Sequence, residues 1–209
     1  MMSLTHAAIA VSTVSLSLGT ADGLVLATAL IGSQLPDLDS TESFVGRALF
    51  PVARWLEAHY PHRSVTHSFV ATAGLALCAS PLVGVHWHYW VALVVGHFTG
   101  WFADAFTKSG VACFFPATAR MVIPGNPRAR LRSQSPGEYW VLAIACLLAI
   151  VSINLTSAGG VSEQFGRAFF QDSATAAQVF HKYGSTQQVR VQVEGMKVAT
   201  AEQVVGVFT

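Results

Sequence analysis

The amino-acid sequence predicts an all-α integral membrane helical bundle of about five apolar helices, followed by a small C-terminal α+β tail. Three observations carry that expectation. Of 209 residues, 52% are apolar and only 11% are Asp, Glu, Lys or Arg, against roughly 25% charged in an ordinary soluble domain. The charges are also missing from two long runs, 64–103 and 139–162, each long enough to cross a bilayer. After Gly159-Gly160 the composition becomes mixed and polar. Residues 1–158 therefore read as one membrane-embedded domain, and 159–209 as a small soluble tail that stops in mid-pattern. Such a composition excludes a disordered chain, a coiled coil and a nucleic-acid-binding protein.

The first 35 residues hold a single charge, Asp22, and lack the positive region of a secretory signal, so they read as mature structure. Helices are expected at about 5–18 and 24–36, joined by the turn Gly19-Thr20-Ala21-Asp22-Gly23. Phe44 to His59 has a helix-like apolar period, with Arg47, Arg54 and Glu57 between apolar residues, suited to an interfacial amphipathic helix. A second helical hairpin is expected at 67–85 and 88–106, turning around Gly84 to His86, with a fifth apolar helix at 139–155. In the tail, Ser162 to Tyr183 reads as an amphipathic helix and Val189 to Val193 as a strand, with a turn at Glu194-Gly195 and a second strand from Val204. Cys78, Cys113 and Cys146 are too far apart for a ribbon or disulfide framework and read as buried free thiols.

Orientation follows from Lys and Arg. The loops 36–66 and 107–138 carry Arg47, Arg54, Arg63, Lys108, Arg120, Arg128, Arg130 and Arg132, whereas the turns at 19–23 and 84–88 carry none. The basic loops are therefore cytoplasmic, and the tail lies on the outer side of the membrane. This topology gathers the chemistry at one depth. His6 lies at the start of the first helix, Asp37 and Asp39 at the end of the second, His62 and His67 before the third, and Asp104 at the end of the fourth. Imidazoles with carboxylates form a ligand set for zinc, with manganese or iron as alternatives, and ionisable groups at a membrane boundary point to function. The plainer alternatives are that Asp37 and Asp39 cap a helix end, that His62 and His67 sit in wet loops, and that Arg63 anchors the positive side. Pro36-Asp37-Leu38-Asp39 reads as an extended segment with both acids on one side, able to grip one ion or bridge two. In His62-Arg63-Ser64-Val65-Thr66-His67-Ser68 the arginine is placed to hold a phosphate or pair with an aspartate, and Ser68, in preference to Thr66, is expected to cap the following helix.

These residues resemble the YdjM-like family of LexA-regulated, membrane-bound predicted metal-dependent hydrolases. The resemblance rests on Thr5-His6, Leu35-Pro36-Asp37-Leu38-Asp39, the His62 to Ser68 segment, and Asp104 with Thr107, Ser109-Gly110-Val111 and Pro116, and covers roughly residues 4–140. It implies a helical membrane protein with a metal site, distantly similar to zinc-dependent phospholipase C. One departure stands out: the family pattern has a histidine where this chain has Gly100. His97 is seven residues before Asp104, about 10 Å deeper at 1.5 Å per residue, and joins the ligands only if the helix distorts near Gly96 or Gly100. Two readings follow. In one, His6, Asp37, Asp39, His62, His67, Asp104 and, with distortion, His97 hold one or two divalent ions, while Asp39 and Arg63 serve catalysis on a phosphoester or phospholipid head group. In the other, the protein is a non-enzymatic membrane scaffold whose metal clamps helices and whose tail joins a protein partner.

Overall fold

The computed structural model describes residues 1–157 and two strands of the tail, and the chain falls into two compact units, 1–157 and 158–209. In the first unit α1 (Ser3–Leu18) and α2 (Gly23–Gln34) form a tight hairpin. Gly19 ends α1 in the left-handed region, φ 57°, and its N–H reaches the Ser15 carbonyl; a glycine there carries no Cβ penalty. Asp22 opens α2 by accepting from the N–H groups of Leu24 and Val25 at 2.7 and 3.2 Å, satisfying donors that the first turn leaves bare.

The expected amphipathic helix over 44–59 is two helices, α3 (Phe44–Ala48) and α4 (Phe50–His59). Pro51 lies in the first turn of α4, where its ring lacks an N–H to continue a preceding helix. The second hairpin breaks at His86, inside the expected turn, and its first arm ends earlier than expected. α5 (Phe69–Cys78) stops before Ser80-Pro81, and α6 (Leu82–Asp104) begins at once, with an extended residue inside it at His86, φ −164° and ψ 117°. Proline disfavours helix at the residue before it, so α5 ends at Cys78 instead of running to 85, while the non-helical His86 breaks α6 inside the expected turn at 84–86. Ser68 caps α5, accepting from the Ala71 N–H at 3.1 Å. α7 (Pro136–Ser157) closes the unit.

Among the described residues only α7 is both long and apolar enough to cross a membrane by itself. α1, with 16 residues, rises about 24 Å, short of a hydrocarbon core of about 30 Å. α2 and α5 are shorter still, at 12 and 10 residues. α6 has 23 residues but carries His86, His88, His97 and several aromatic residues. The first unit is therefore mostly helical over the expected segments, and among the described residues one helix, α7, has the length and composition of a span.

Helices α1, α2 and α6 pack on one another, and α7 packs along α1. Their core is Val14, Val25, Leu26, Ala29 and Ala92. The closest approach is backbone to backbone between α2 and α6. A Cβ at Gly96 would strike the Ala29 carbonyl, one at Gly32 the Leu93 carbonyl, and one at Gly100 would lie 2.6 Å from the Ser33 carbonyl oxygen. Gly96 and Gly100 form a small-xxx-small pair, which lets helices meet closely where lipid gives no hydrophobic drive. Below α6 a second cluster, Trp101, Ala105, Val111 and Cys113, anchors the segment after Asp104. That segment is tied to the His62 loop by Ala112 N–H to the Arg63 carbonyl and Phe69 N–H to the Cys113 carbonyl, both 3.0 Å. Cys113 is a buried free thiol as expected, but Cys78 and Cys146 are exposed, because their faces of α5 and α7 meet no other described helix.

In the second unit the described residues are the strands β1 (Val191–Met196) and β2 (Gln203–Phe208), paired antiparallel with Val191 opposite Phe208. β1 runs through Glu194-Gly195, where a turn was expected. The amphipathic helix expected over 162–183 lies outside the described residues.

Candidate metal centre

Five segments converge at one end of the first unit: the start of α1, the 3-10 turn Leu35–Asp39 that continues α2, the loop before α5, the end of α6 and the loop after it. His6 comes from the first turns of α1 and is 2% exposed, while Asp104 ends α6 and is wholly buried. Together with the half-buried Asp37 they place one ligand atom each within 4.8 Å of one another. Zinc bonds of about 2.0–2.2 Å hold ligand atoms about 4 Å apart at most, so small side-chain rotations would close this group on one ion.

Asp37 and Asp39 are not on one side of an extended strand. The 3-10 turn sends them in different directions, because each residue advances about 120°, and they bracket His67 from its two ring nitrogens. His67 Nε2 is 3.9 Å from Asp37 Oδ1 and 3.5 Å from Asp104 Oδ2, while its Nδ1 is 3.5 Å from Asp39 Oδ2. Asp39 also accepts from the Arg63 backbone N–H at 2.7 Å and meets His62 Nδ1 at 2.9 Å. It therefore fixes the His62-Arg63 loop, in which Arg63 adopts φ 63°, a left-handed conformation rare for a residue with a side chain. So held, the guanidinium Nε lies 3.1 Å from Asp104 Oδ2, and a terminal nitrogen donates to Thr107 Oγ1 at 3.2 Å. Thr107 in turn donates to the Asp104 carbonyl at 2.7 Å. The Met1 ammonium is 2.5 Å from Asp104 Oδ1.

Burial drives the Asp39 carboxyl upward, but the hydrogen bonds of His62 and His67 overcome it and hold Asp39 well below the usual carboxylate range. Burial likewise pushes the His67 imidazole down, and the partners Asp104 and Asp39 outweigh it, leaving His67 above its ordinary value.

Around this point both ring nitrogens of His6 and Thr5 Oγ1 make no hydrogen bond, while Arg63 Nε, His67 Nε2 and Asp104 Oδ2 meet one another only as ion pairs, and His6 Nε2 lies 3.6 Å from Asp104 Oδ1. Buried polar groups are ordinarily satisfied, since each orphan costs about 1–3 kcal/mol. With the His6 nitrogens free of hydrogen bonds and ligand atoms of His6, Asp37 and Asp104 within 4.8 Å of one another, the mixed nitrogen and oxygen set suits a divalent ion.

His97 is not brought into this group. Its Nδ1 is 3.0 Å from Thr72 Oγ1, which also accepts from Trp101 Nε1 at 2.9 Å. The distortion in α6 is at His86, not near Gly96 or Gly100, so the seven-residue offset keeps His97 deeper along the helix. His62 is in the surrounding ring, more than half exposed and engaged by Asp39. Two partners were missed from the sequence. Thr107 braces Arg63, and its place three residues after Asp104 at a helix end was the available signal. Glu138, wholly buried, accepts from the N–H groups of Met2 and Gln134 at 2.5 and 2.6 Å, tying α7 to the start of α1. Nothing local marks it.

A model of the YdjM inner membrane protein family matches residues 1–161. The chain belongs to this family. It is 27% identical over 106 residues to the inner membrane protein YdjM of Escherichia coli (strain K12), covering 48% of this chain and 53% of that one. Agreement with the inner membrane protein YdjM of Shigella flexneri has the same extent. The uncharacterized protein YvsG of Bacillus subtilis (strain 168) is 26% identical over 120 residues, 57% of this chain and 72% of its own. The chain thus spans about half the length of the two YdjM proteins, and no solved structure matches it. All the residues converging on the candidate site lie inside the YdjM match, whereas most of the tail lies beyond it. The protein is accordingly a YdjM-family membrane protein with a candidate metal centre at His6, Asp37 and Asp104.

Proposed function

We propose that this YdjM-family protein is a membrane-bound metal-dependent hydrolase acting on a phosphoester or phospholipid head group at the cytoplasmic face. The single observation that supports it best is the group of His6, Asp37 and Asp104, whose ligand atoms lie within 4.8 Å of one another while both His6 ring nitrogens make no hydrogen bond. His6, Asp37 and Asp104 would hold the ion, with zinc the first choice for a mixed nitrogen and oxygen set. A divalent ion there supplies Lewis acidity and lowers the pKa of water. Arg63, braced by Thr107, presents fixed positive charge to phosphoryl oxygens. Asp39 and His62 position Arg63 through the loop, and His67 holds a proton between the carboxylates of Asp39 and Asp104. Gly100 in place of a histidine serves the packing of α6 on α2 and leaves these groups together.

The test is hydrolysis of bis(p-nitrophenyl) phosphate and of phospholipid vesicles by purified protein, with and without a chelator. Turnover that the chelator abolishes, and that Arg63→Ala lowers by about 10²–10³-fold, is expected. Metal-loaded protein that cleaves neither substrate overturns the hydrolase and leaves the metal as a clamp between helices.

A further inference from the structure

Beside the polar cluster lies a cavity of 520 Å³, within the ~300–1,000 Å³ range of small-molecule sites. Its walls are Ile9 and Thr13 of α1, Phe98 and Phe102 of α6, Leu131 of the basic loop and Val141 of α7. The lining is nearly all hydrocarbon. Of its few polar side chains, the Thr99 hydroxyl is committed to carbonyls of its own helix, Val95 at 2.9 Å and Gly96 at 3.0 Å. The wall also includes Met1 and Ala103, and Met1 is the link to the metal centre, since its ammonium meets Asp104 Oδ1.

An ordinary ligand pocket puts a few polar groups among apolar walls. Here the two are separated end to end, with charge at one end and hydrocarbon at the other. A free phosphate or a sugar phosphate would leave the cavity empty, and water gains little in an apolar chamber. We infer that the cavity takes one acyl chain of a membrane amphiphile whose phosphorylated head lies at Arg63 and the His6, Asp37 and Asp104 group. This rests on the proposal that the polar cluster receives a phosphoester, and it narrows the substrate class from phosphoesters in general to lipids. For a short-chain analogue entering from water, each buried methylene contributes about 0.8 kcal/mol, so two added carbons should tighten binding by about tenfold until the cavity is full; a chain already in the bilayer gains no such increment.

The experiment uses full-length protein in vesicles of phosphatidylethanolamine and phosphatidylglycerol. The probe is phosphatidylethanolamine with a photoactivatable diazirine on one acyl chain. After illumination, labelled peptides are mapped by mass spectrometry for wild type, Thr99→Trp and Thr13→Phe, each checked for folding by circular dichroism. Label concentrated on 9–13 and 98–106, and reduced at least tenfold by whichever filling variant folds, is the expected result. Label spread over the exposed face of α7 and indifferent to both substitutions would overturn the inference. Labelling needs no turnover, so inert protein that still labels in the cavity refutes the hydrolase while keeping the chain site. Protein that cleaves soluble phosphodiesters without labelling there does the reverse.

Discussion

At the residue scale, Asp39 and Asp104 look alike in sequence and differ in what surrounds them. Asp39 faces only donors of its own loop and His67, so its charge organises the protein. Because its folded pKa is depressed, its contribution to stability is complete above the unfolded value of about 3.9 and is lost as pH falls through and below it. The His62-Arg63 loop should therefore loosen below about pH 4, read as faster amide exchange at Arg63, whose N–H it holds. Asp39→Asn should remove that pH dependence and destabilise the protein by roughly 3–5 kcal/mol at neutral pH, as breaking a buried pair does; an unchanged unfolding temperature would contradict this role. His6 is the opposite case. Its ring nitrogens make no hydrogen bond and Nε2 meets only Asp104 Oδ1, at 3.6 Å, so His6→Gln should cost less stability than Asp39→Asn while weakening any bound ion. The residue types at this site were legible from the sequence, since histidines and aspartates at apolar boundaries are conspicuous. The division of labour was not, because it depends on whether Leu35–Asp39 is extended or a 3-10 turn.

Among the elements, the pair α2 and α6 sets the geometry of the site, since one leads into Asp37 and the other ends at Asp104. Their contact is backbone on backbone at Gly32, Gly96 and Gly100. Gly100→Ala should therefore destabilise the fold by about 1–3 kcal/mol, the usual cost of overpacking, measured by thermal unfolding in detergent. Gly100→His should lower metal occupancy by separating α2 from α6, where helical spacing alone would predict a gain from a ligand one turn before Asp104. Increased occupancy with unchanged unfolding would show that α6 has room at this position. Sequence periodicity located α1, α2, α6 and α7 to within a few residues, and the cap at Ser68 was recognisable from its chemistry. It ran α5 on past Cys78 because the apolar run continues across Ser80-Pro81 and only the proline interrupts it, while the break expected at 84–86 is present at His86. The role of Gly100 was hidden for a different reason: a single sequence says that a position is small, not which carbonyl lies above it.

For the whole molecule, α7 exposes Trp140, Ile144, Leu147 and Ile150, an apolar face that in a YdjM-family membrane protein meets lipid. The protein should extract with detergent and resist carbonate. A single cysteine placed among residues 117–130, in a background lacking native cysteines, should be shielded from an impermeant thiol reagent in intact cells; labelling from outside would reverse the orientation given by Lys and Arg. Binding of one divalent ion where α1, α2 and α6 end is the claim on which the rest depends. Its most direct test is metal analysis of purified protein by inductively coupled plasma mass spectrometry, comparing wild type with His6→Gln and Asp104→Asn. The account predicts close to one zinc, manganese or iron per wild-type chain and a loss of most of it in both variants, with His6→Gln still folded. Wild-type protein that holds no divalent ion after incubation with each of these metals, or variants that retain a full complement, would contradict it.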